Sequence, residues 1–211
     1  MYEENKPRLG RPSATNSADK QERILLVARC AFAELGYGVA TNKDVARRAG
    51  ITTGALYHYF DSKTAMYWAV FDHVQRTVGR FLADAIKPFP TFIGQAEAFF
   101  RGLRQLNSTE PSLAEFLNAA RIDITRYSEL KIDFPERYPK VRRHFIPGLV
   151  ELGVSTGEID PERADDVADF LHAFVTGLMD PASIRYEEQE RAIEAVLSLL
   201  HGTLINVPAK P

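Results

Sequence analysis

The chain has 211 residues, of which 45% are hydrophobic and 26% charged, so it is long and apolar enough to bury a substantial core. Its single cysteine, Cys30, excludes an internal disulfide and any multi-cysteine metal site, and its five histidines show no metal-ligand spacing. We therefore expect no metal and no cofactor. There is no apolar run of about eighteen residues and no apolar N-terminal segment, which predicts a cytoplasmic protein without a membrane partner.

Charge is distributed unevenly along the chain. Residues 1–63 carry ten basic and seven acidic side chains, a net of +3, whereas residues 64–211 carry sixteen and twenty-one, a net of −5. A basic start joined to an acidic remainder indicates that only the start meets a polyanion. A mixed, solvated surface would give a similar imbalance, so the arrangement of the charges has to decide whether the start of the chain binds a polyanion.

The first part of the chain divides into an arm and three helices. Residues 1–16 are polar, with basic side chains among proline and glycine, and predict a flexible basic arm. An apolar stripe of period 3.6 then runs from Ser17 until Gly36 ends the first helix. Thr41 opens the second helix, with Asp44 reaching back toward the cap, and Gly50 in the left-handed conformation ends it. Thr52 caps a short third helix through Phe60, which completes a helix-turn-helix.

The rest of the chain also has a helical pattern. Asp61 and Ser62 cap a fourth helix that ends before Pro88, and further helices are predicted at about 91–107, 112–127, 134–153, 161–179 and 187–206. No segment alternates apolar and polar residues as a half-buried strand does. The prediction is an all-α protein of about nine helices, with a helix-turn-helix domain at 17–62 and a larger helical-bundle domain for ligand binding and dimerisation at 63–211.

The third helix has the side chains that a major-groove helix needs. Its outer face offers small or donor groups, and its inner face is apolar. The outer residues are Thr52, Thr53, Gly54, Tyr57 and His58; the inner ones, with those of the second helix, are Val45, Ala49, Ile51, Leu56 and Phe60. Glycine within a helix costs about 1 kcal/mol relative to alanine. Gly54 therefore indicates either a close approach to DNA or a loose helix start.

Individual residues in and around this helix are predicted to make particular DNA contacts. Lys63, in the first turn of the fourth helix, suits a phosphate contact. Thr53 is predicted to read bases through its hydroxyl or methyl group, with Gly54 in close approach. Arg8 and Arg11 either enter a neighbouring minor groove or belong to a solubilising tail.

These residues resemble the DNA-binding domain of the tetracycline-repressor (TetR) family. The resemblance covers about fifty residues: a first helix ending near Gly36, Thr41 at the second, Ala-Gly-Ile-Thr-Thr-Gly-Ala-Leu-Tyr at 49–57, and Tyr-Phe-x-Ser-Lys at 59–63. It implies phosphate contacts by Thr41, Thr52, Tyr57, His58 and Lys63, and base contacts by Thr53 and Gly54. The commoner Tyr-His-Phe ending is here His58-Tyr59-Phe60.

The C-terminal part resembles the family only in layout. Residues 157–178 are similar to the loop and helix that the family uses for dimerisation. Two apolar stripes are predicted to close a four-helix bundle with a second copy, the alternative being packing within one chain. The predicted interface residues are Val167, Leu171, Val175, Leu178, Ile193, Val196, Leu197 and Leu200.

An aromatic middle region predicts a small-molecule pocket between bundle helices, the alternative being ordinary core. The candidate lining residues are Trp68, Phe71, Phe99, Phe116, Asp123, Tyr127, Phe145 and Phe174. Asp123, with Arg121 and Thr125, either orients a ligand or faces solvent.

Two enzyme signatures carry little weight. Gly153-x-Ser155-x-Gly157 has the spacing of a nucleophile elbow but follows a helical pattern rather than a strand. Tyr59 and Lys63 have the spacing of short-chain dehydrogenases without a glycine-rich dinucleotide loop. The sequence thus favours a ligand-responsive homodimeric transcriptional repressor on a palindromic DNA operator. The alternatives are a DNA-binding dimer without an effector and, last, a helical-bundle enzyme.

Overall fold

The computed structural model describes residues 14–132, 145–178, 186–202 and 204, which form ten α-helices and one 3-10 helix, with no strand among them. The predicted all-α class is confirmed. The helices are α1 (Ala14–Val39), α2 (Asn42–Ala49), α3 (Thr53–Tyr57), α4 (Lys63–Ile86), α5 (Phe92–Thr109), α6 (Pro111–Arg126), α7 (Ser128–Lys131), α8 (Ile146–Thr156), α9 (Ala164–Leu178) and α10 (Tyr186–Leu200), and the 3-10 helix is Pro161–Arg163.

Helix α1 is interrupted where the sequence predicts its end. Ile24, Ala28 and Phe32 are buried along one side of the helix. Gly36 then adopts φ 71° and ψ 168°, a conformation that side-chain-bearing residues rarely reach, and the chain turns through Val39 into α2.

Local hydrogen bonds define the α2–α3 unit. The Gly50 φ of 69° lets its N–H reach the Arg47 carbonyl while the Ile51 N–H donates to the Ala46 carbonyl at 3.0 Å, a Schellman end. The Thr52 hydroxyl then accepts from the Ala55 N–H at 3.1 Å and caps α3. Helix α3 is shorter than predicted: it ends at Tyr57, and turns carry the chain to Phe60.

The later boundaries differ most in two regions: α10 ends at Leu200, although the pattern predicts helix to residue 206, and α8 begins later than predicted. The sequence predicts one helix at 134–153, whereas α8 begins at Ile146, with Pro147 in its first turn, and continues to Thr156. Residues 133–144 lie outside the described part of the chain. The short α7 was not predicted, because four residues are too few to show a helical period.

Helices α1 and α4 connect the α2–α3 unit to the rest of the molecule. Helix α1 packs against α2, α4 and α6, and α4 also packs against α5 and α6. Helix α5 contacts α8 and α10, and α9 packs on α8. Of the helices in the described ranges, none is long and apolar enough to cross a membrane.

Candidate functional site

The outer face of α3 is the first candidate site. Thr52, Gly54, Tyr57 and His58 are exposed, and Thr53 is half-buried beside them. The inner-face residues Leu56 and Phe60 are buried with Val45 and Ala49 of α2, and Ile51 is partly buried against the same core. The helix therefore presents its polar face outward on a rigid apolar support.

Gly54 is not needed for packing or backbone conformation within the chain. It is not one of the glycines with positive φ. In the described part of the chain, a Cβ at this position would have only the Thr52 hydroxyl oxygen near it, at 3.9 Å. The missing side chain instead leaves open space on the outer side of α3, where a second molecule can approach the backbone closely.

Asn42 orients Tyr57 and was missed by the sequence analysis. Its Nδ2 donates to the Tyr57 hydroxyl oxygen at 3.1 Å. With that oxygen accepting, the tyrosine O–H is left to donate outward. Because the two residues are fifteen positions apart, no local pattern indicates the pair.

Thr41 is engaged in capping α2. Its hydroxyl oxygen accepts from the Asp44 N–H at 3.1 Å, and its O–H donates to the Asp44 carboxylate at 2.5 Å. That second bond, more than any other influence, lowers the pKa of Asp44, so the carboxylate stays charged. The capping-box pattern predicts a contact from the Asp44 side chain back to Thr41. That contact is present, but it is made to the Thr41 hydroxyl rather than to the Thr41 backbone N–H.

On the same helix, Lys43 and Arg47 are exposed cations that were not among the predicted contacts.

Lys63 begins α4 as predicted, behind the Ser62 cap. Its Nζ lies 3.4 Å from the Gly38 carbonyl oxygen and 4.4 Å from the centre of the Tyr37 ring. Burial lowers the pKa of Lys63, and the nearby carboxylates of Glu129 and Asp123 oppose that shift. Through these two contacts the half-buried Lys63 side chain links α4 to the turn before α2, and it remains partly accessible.

The predicted pocket residues fall into two ring clusters. Cluster I lies between α1, α4 and α6 and comprises Phe32, Tyr37, Tyr67, Trp68, Phe71, Phe116 and Tyr127, joined by ring contacts of 4.9–6.5 Å. Cluster II lies between α5, α8 and α9 and comprises Phe99, Phe100, Phe145, Phe170 and Phe174. Asp123 lies beside cluster I and is buried, bonded to Tyr37 and Tyr67. Arg121 and Thr125 are exposed.

Most of the predicted interface residues face the chain's own core. Leu171, Leu178, Ile193, Val196 and Leu197 are buried, and Val167, Val175 and Leu200 are half-buried. A second apolar stripe of α9, formed by Phe170, Ala173 and Gly177, faces outward instead, and Leu199 is an exposed apolar residue of α10. It was missed because α9 is apolar on both stripes.

The Gly153-x-Ser155-x-Gly157 pattern lacks the geometry of a nucleophile elbow. Ser155 lies within α8, and its hydroxyl donates to the Leu152 carbonyl at 2.8 Å. A nucleophile elbow requires a sharp strand-to-helix turn, which a serine in the last turn of a helix does not have. Arg8 and Arg11, the predicted minor-groove residues, lie outside the described part of the chain.

Known proteins have sequences similar to that of this chain. A sequence profile described as "Bacterial regulatory proteins, tetR family" matches residues 24–70, which include α2 and α3. The chain is 36% identical over 194 residues to the HTH-type transcriptional repressor Rv1474c of Mycobacterium tuberculosis, covering 91% of this chain and 96% of that protein. It is 29% identical over 163 residues to the HTH-type transcriptional repressor KstR2 of Mycolicibacterium smegmatis, covering 75% of each.

Solved structures share the fold. One is the transcriptional regulator FadR of Bacillus subtilis in complex with stearoyl-CoA, with a TM-score of 0.72 at 18% identity. The match covers 87% of this chain and 99% of that one. At this identity the likeness concerns the fold alone.

Proposed function

The chain belongs to the TetR family of bacterial transcriptional regulators, and from that premise we propose that it is a homodimeric repressor. In this proposal it binds a palindromic operator through α3 and is released by a small, largely apolar or aromatic effector. The relatives that the chain matches are transcriptional regulators rather than enzymes. The observation that carries the DNA-binding part is the exposed polar face of α3 above a buried apolar one.

The proposed contacts divide into positioning and reading. Phosphates are held by Tyr57, His58 and Lys63 and by Thr41 and Thr52, the N-cap residues of α2 and α3, which fixes the register of the helix. Thr53 and Gly54 approach base edges in the major groove. The arm residues Arg8 and Arg11 enter the adjacent minor groove.

Dimerisation is proposed through the outward stripe of α9 and α10. Phe170 is 44% exposed and stacks on Phe174, with ring centroids 6.1 Å apart. Ala173 and Gly177 follow on the same face, and their small size lets a partner helix approach closely. A two-fold pair places two copies of α3 in successive major grooves, with half-site centres about 34–36 Å apart or a multiple of that distance.

An effector site is proposed beside the two ring clusters. Cluster II reaches α4, where the Phe145 ring lies 3.9 Å from the place that a Cβ on Gly79 would take. A ligand inserted here displaces α4, whose first residue follows the helix-turn-helix directly. Stearoyl-CoA in the similarly folded FadR is a precedent for a large apolar effector. A coupling of about 1–3 kcal/mol lowers operator affinity roughly 5- to 150-fold.

A second candidate function is a DNA-binding dimer without a small-molecule effector. Close aromatic packing favours it, because Phe100 and Phe116 are almost completely buried and contact neighbouring rings. Under this alternative the C-terminal helices serve only dimerisation or a protein partner.

Selection of DNA from a randomised duplex library tests the proposal directly. The recovered sequences should form an inverted repeat, and fluorescence anisotropy should give a steep salt dependence. Titration with stearoyl-CoA and with aromatic acids should then weaken binding. Recovery of no enriched sequence at low ionic strength contradicts the DNA-binding proposal, and unchanged affinity with every compound supports the second candidate.

A further inference from the structure

The turn that leads into α2, residues 36–40, is held by a buried carboxylate of α6. Asp123 Oδ2 accepts hydrogen bonds from the Tyr37 backbone N–H at 2.8 Å and from the Tyr67 hydroxyl at 3.1 Å. Asp123 is only 6% exposed and is one of two buried charged residues in the described part of the chain. One α6 side chain is thus bonded both to the turn and to α4.

The glycines of this turn allow α6 and its continuation to approach. The left-handed Gly36 lies against the Asp123 carboxylate, whose Oδ1 would be 3.5 Å from a Cβ at that position. A Cβ on Gly38 would overlap the hydroxyl of Tyr127. We call Asp123 and Tyr127 the α6 clasp, since both close on residues 36–40.

The electrostatics of the clasp favour the arrangement in which the Tyr67 hydroxyl donates and the Asp123 carboxylate accepts. Burial, reinforced by the Asp123 charge, raises the pKa of Tyr67, so its hydroxyl keeps the proton that it donates. An ionised carboxylate in such a site is stable only while its hydrogen bonds are made. The Tyr37 hydroxyl is joined to Thr64 of α4 at 2.8 Å, which closes the network on the other side.

The clasp acts directly on the DNA-reading unit. Thr41, the cap of α2, directly follows the turn, and α2 packs on α3. A displacement of the turn relative to α6 therefore tilts α2 and α3 relative to the C-terminal helices that form the proposed dimer.

We propose that Asp123 is a positioning residue for operator binding: it sets the angle of the α2–α3 unit and thereby the half-site spacing that a dimer accepts. This inference rests on the proposed function. It assigns Asp123 to the coupling between the two parts of the chain, rather than to the lining of an effector pocket.

Operators of altered spacing test this role. The probe is the duplex selected by the wild-type protein, together with derivatives carrying one base pair inserted or deleted at the dyad, which moves a half-site by about 3.4 Å. The wild type should discriminate against both derivatives. Asp123→Asn keeps the side-chain shape but loses the charge. In this variant the ratio of the affinity for the selected duplex to the affinity for each derivative should fall by about fivefold or more.

The ratio separates positioning from stability. A purely structural loss lowers the active fraction and weakens binding to all three duplexes equally, so an unchanged ratio overturns the inference. The exposed Asp84→Asn on α4 is the matched control and should keep the wild-type ratio. If Asp123→Asn does not fold, Tyr67→Phe removes one donor to the same oxygen and should shift the ratio in the same direction. Wild-type protein that binds no selected duplex overturns the proposed function itself, and with it this inference.

Discussion

Asn42 Nδ2 donates to the Tyr57 hydroxyl oxygen at 3.1 Å, which leaves the tyrosine proton pointing out of the protein. We expect Asn42→Ala to weaken operator binding about fivefold, because an ordered donor to phosphate becomes a mobile one. Anisotropy titrations of Asn42→Ala, Tyr57→Phe and the double variant measure this coupling. If Asn42 acts through Tyr57, the double variant is no weaker than Tyr57→Phe; fully additive losses would show that the two act independently.

Gly54→Ala should change folding and binding in opposite directions. Alanine stabilises a helix by about 1 kcal/mol relative to glycine, and the described neighbours leave room for the methyl group. At a close DNA contact the same methyl group costs about 1–3 kcal/mol, or roughly 5- to 150-fold in affinity. Urea unfolding and operator titration measure the two effects.

Gly148→Ala on α8 is the matched control for that prediction. Among the described residues, a Cβ there meets nothing within 4 Å, whereas one on Gly54 meets the Thr52 hydroxyl oxygen at 3.9 Å, and Gly148 lies far along the chain from α2 and α3. It should leave operator affinity unchanged. Wild-type affinity in Gly54→Ala would mean that the glycine marks only a loose helix start.

Phe170→Glu should produce a folded monomer. Full burial of a phenylalanine contributes about 1.5–3 kcal/mol, so covering the 44% of Phe170 that is exposed contributes about 0.7–1.3 kcal/mol; a two-fold interface counts it twice, so dimerisation should weaken about tenfold or more. Sedimentation velocity gives the oligomeric state and circular dichroism the fold. The control Ile122→Glu changes an exposed apolar residue of α6, 56% accessible, and should remain dimeric. A Phe170→Glu dimer of wild-type affinity would place the interface elsewhere.

Glu158 should give the protein a component of stability that depends on pH. Its carboxylate accepts from the Phe92 N–H at 2.7 Å, the Ile93 N–H at 3.1 Å and the Thr156 hydroxyl at 2.6 Å. Desolvation alone would raise the pKa of Glu158, but these three bonds together lower it below the ordinary value of 4.5. The charged group thereby caps the positive end of α5.

The sign of this effect follows from the lowered pKa. The stabilisation is complete above the unfolded-state pKa and is lost as the pH falls through the folded-state value. Glu158→Gln should therefore reduce the free energy of unfolding by about 1 kcal/mol at pH 7, and the difference should shrink below about pH 4.5. Urea unfolding at several pH values measures it, with the exposed Glu151→Gln as control. A difference that is independent of pH would contradict the assignment.

The α2–α3 unit could be predicted from sequence because its structural determinants are local. Thr52 caps a backbone N–H three residues away, and Gly50 ends α2 through bonds to the preceding turn. Such interactions depend on residue type and short spacing, which the sequence displays directly. The same holds for Ser62 at the start of α4.

The surroundings of that unit depend on contacts between distant residues. Asp123 lies on α6 between the exposed Ile122 and the buried Ile124, and its burial results from the packing of α6 on α1, which brings it to Tyr37, 86 positions away. Phe170 and Leu171 are adjacent apolar residues, and only the packing of α9 on its neighbours turns one outward and the other inward. The amino-acid order by itself thus determined most of the helices, their caps and the polar face of α3, since these require only short-range hydrogen bonds and periodicity. The tertiary structure decided which buried charge joins the two parts of the chain and which apolar stripe faces outward, because both depend on the relative placement of whole helices.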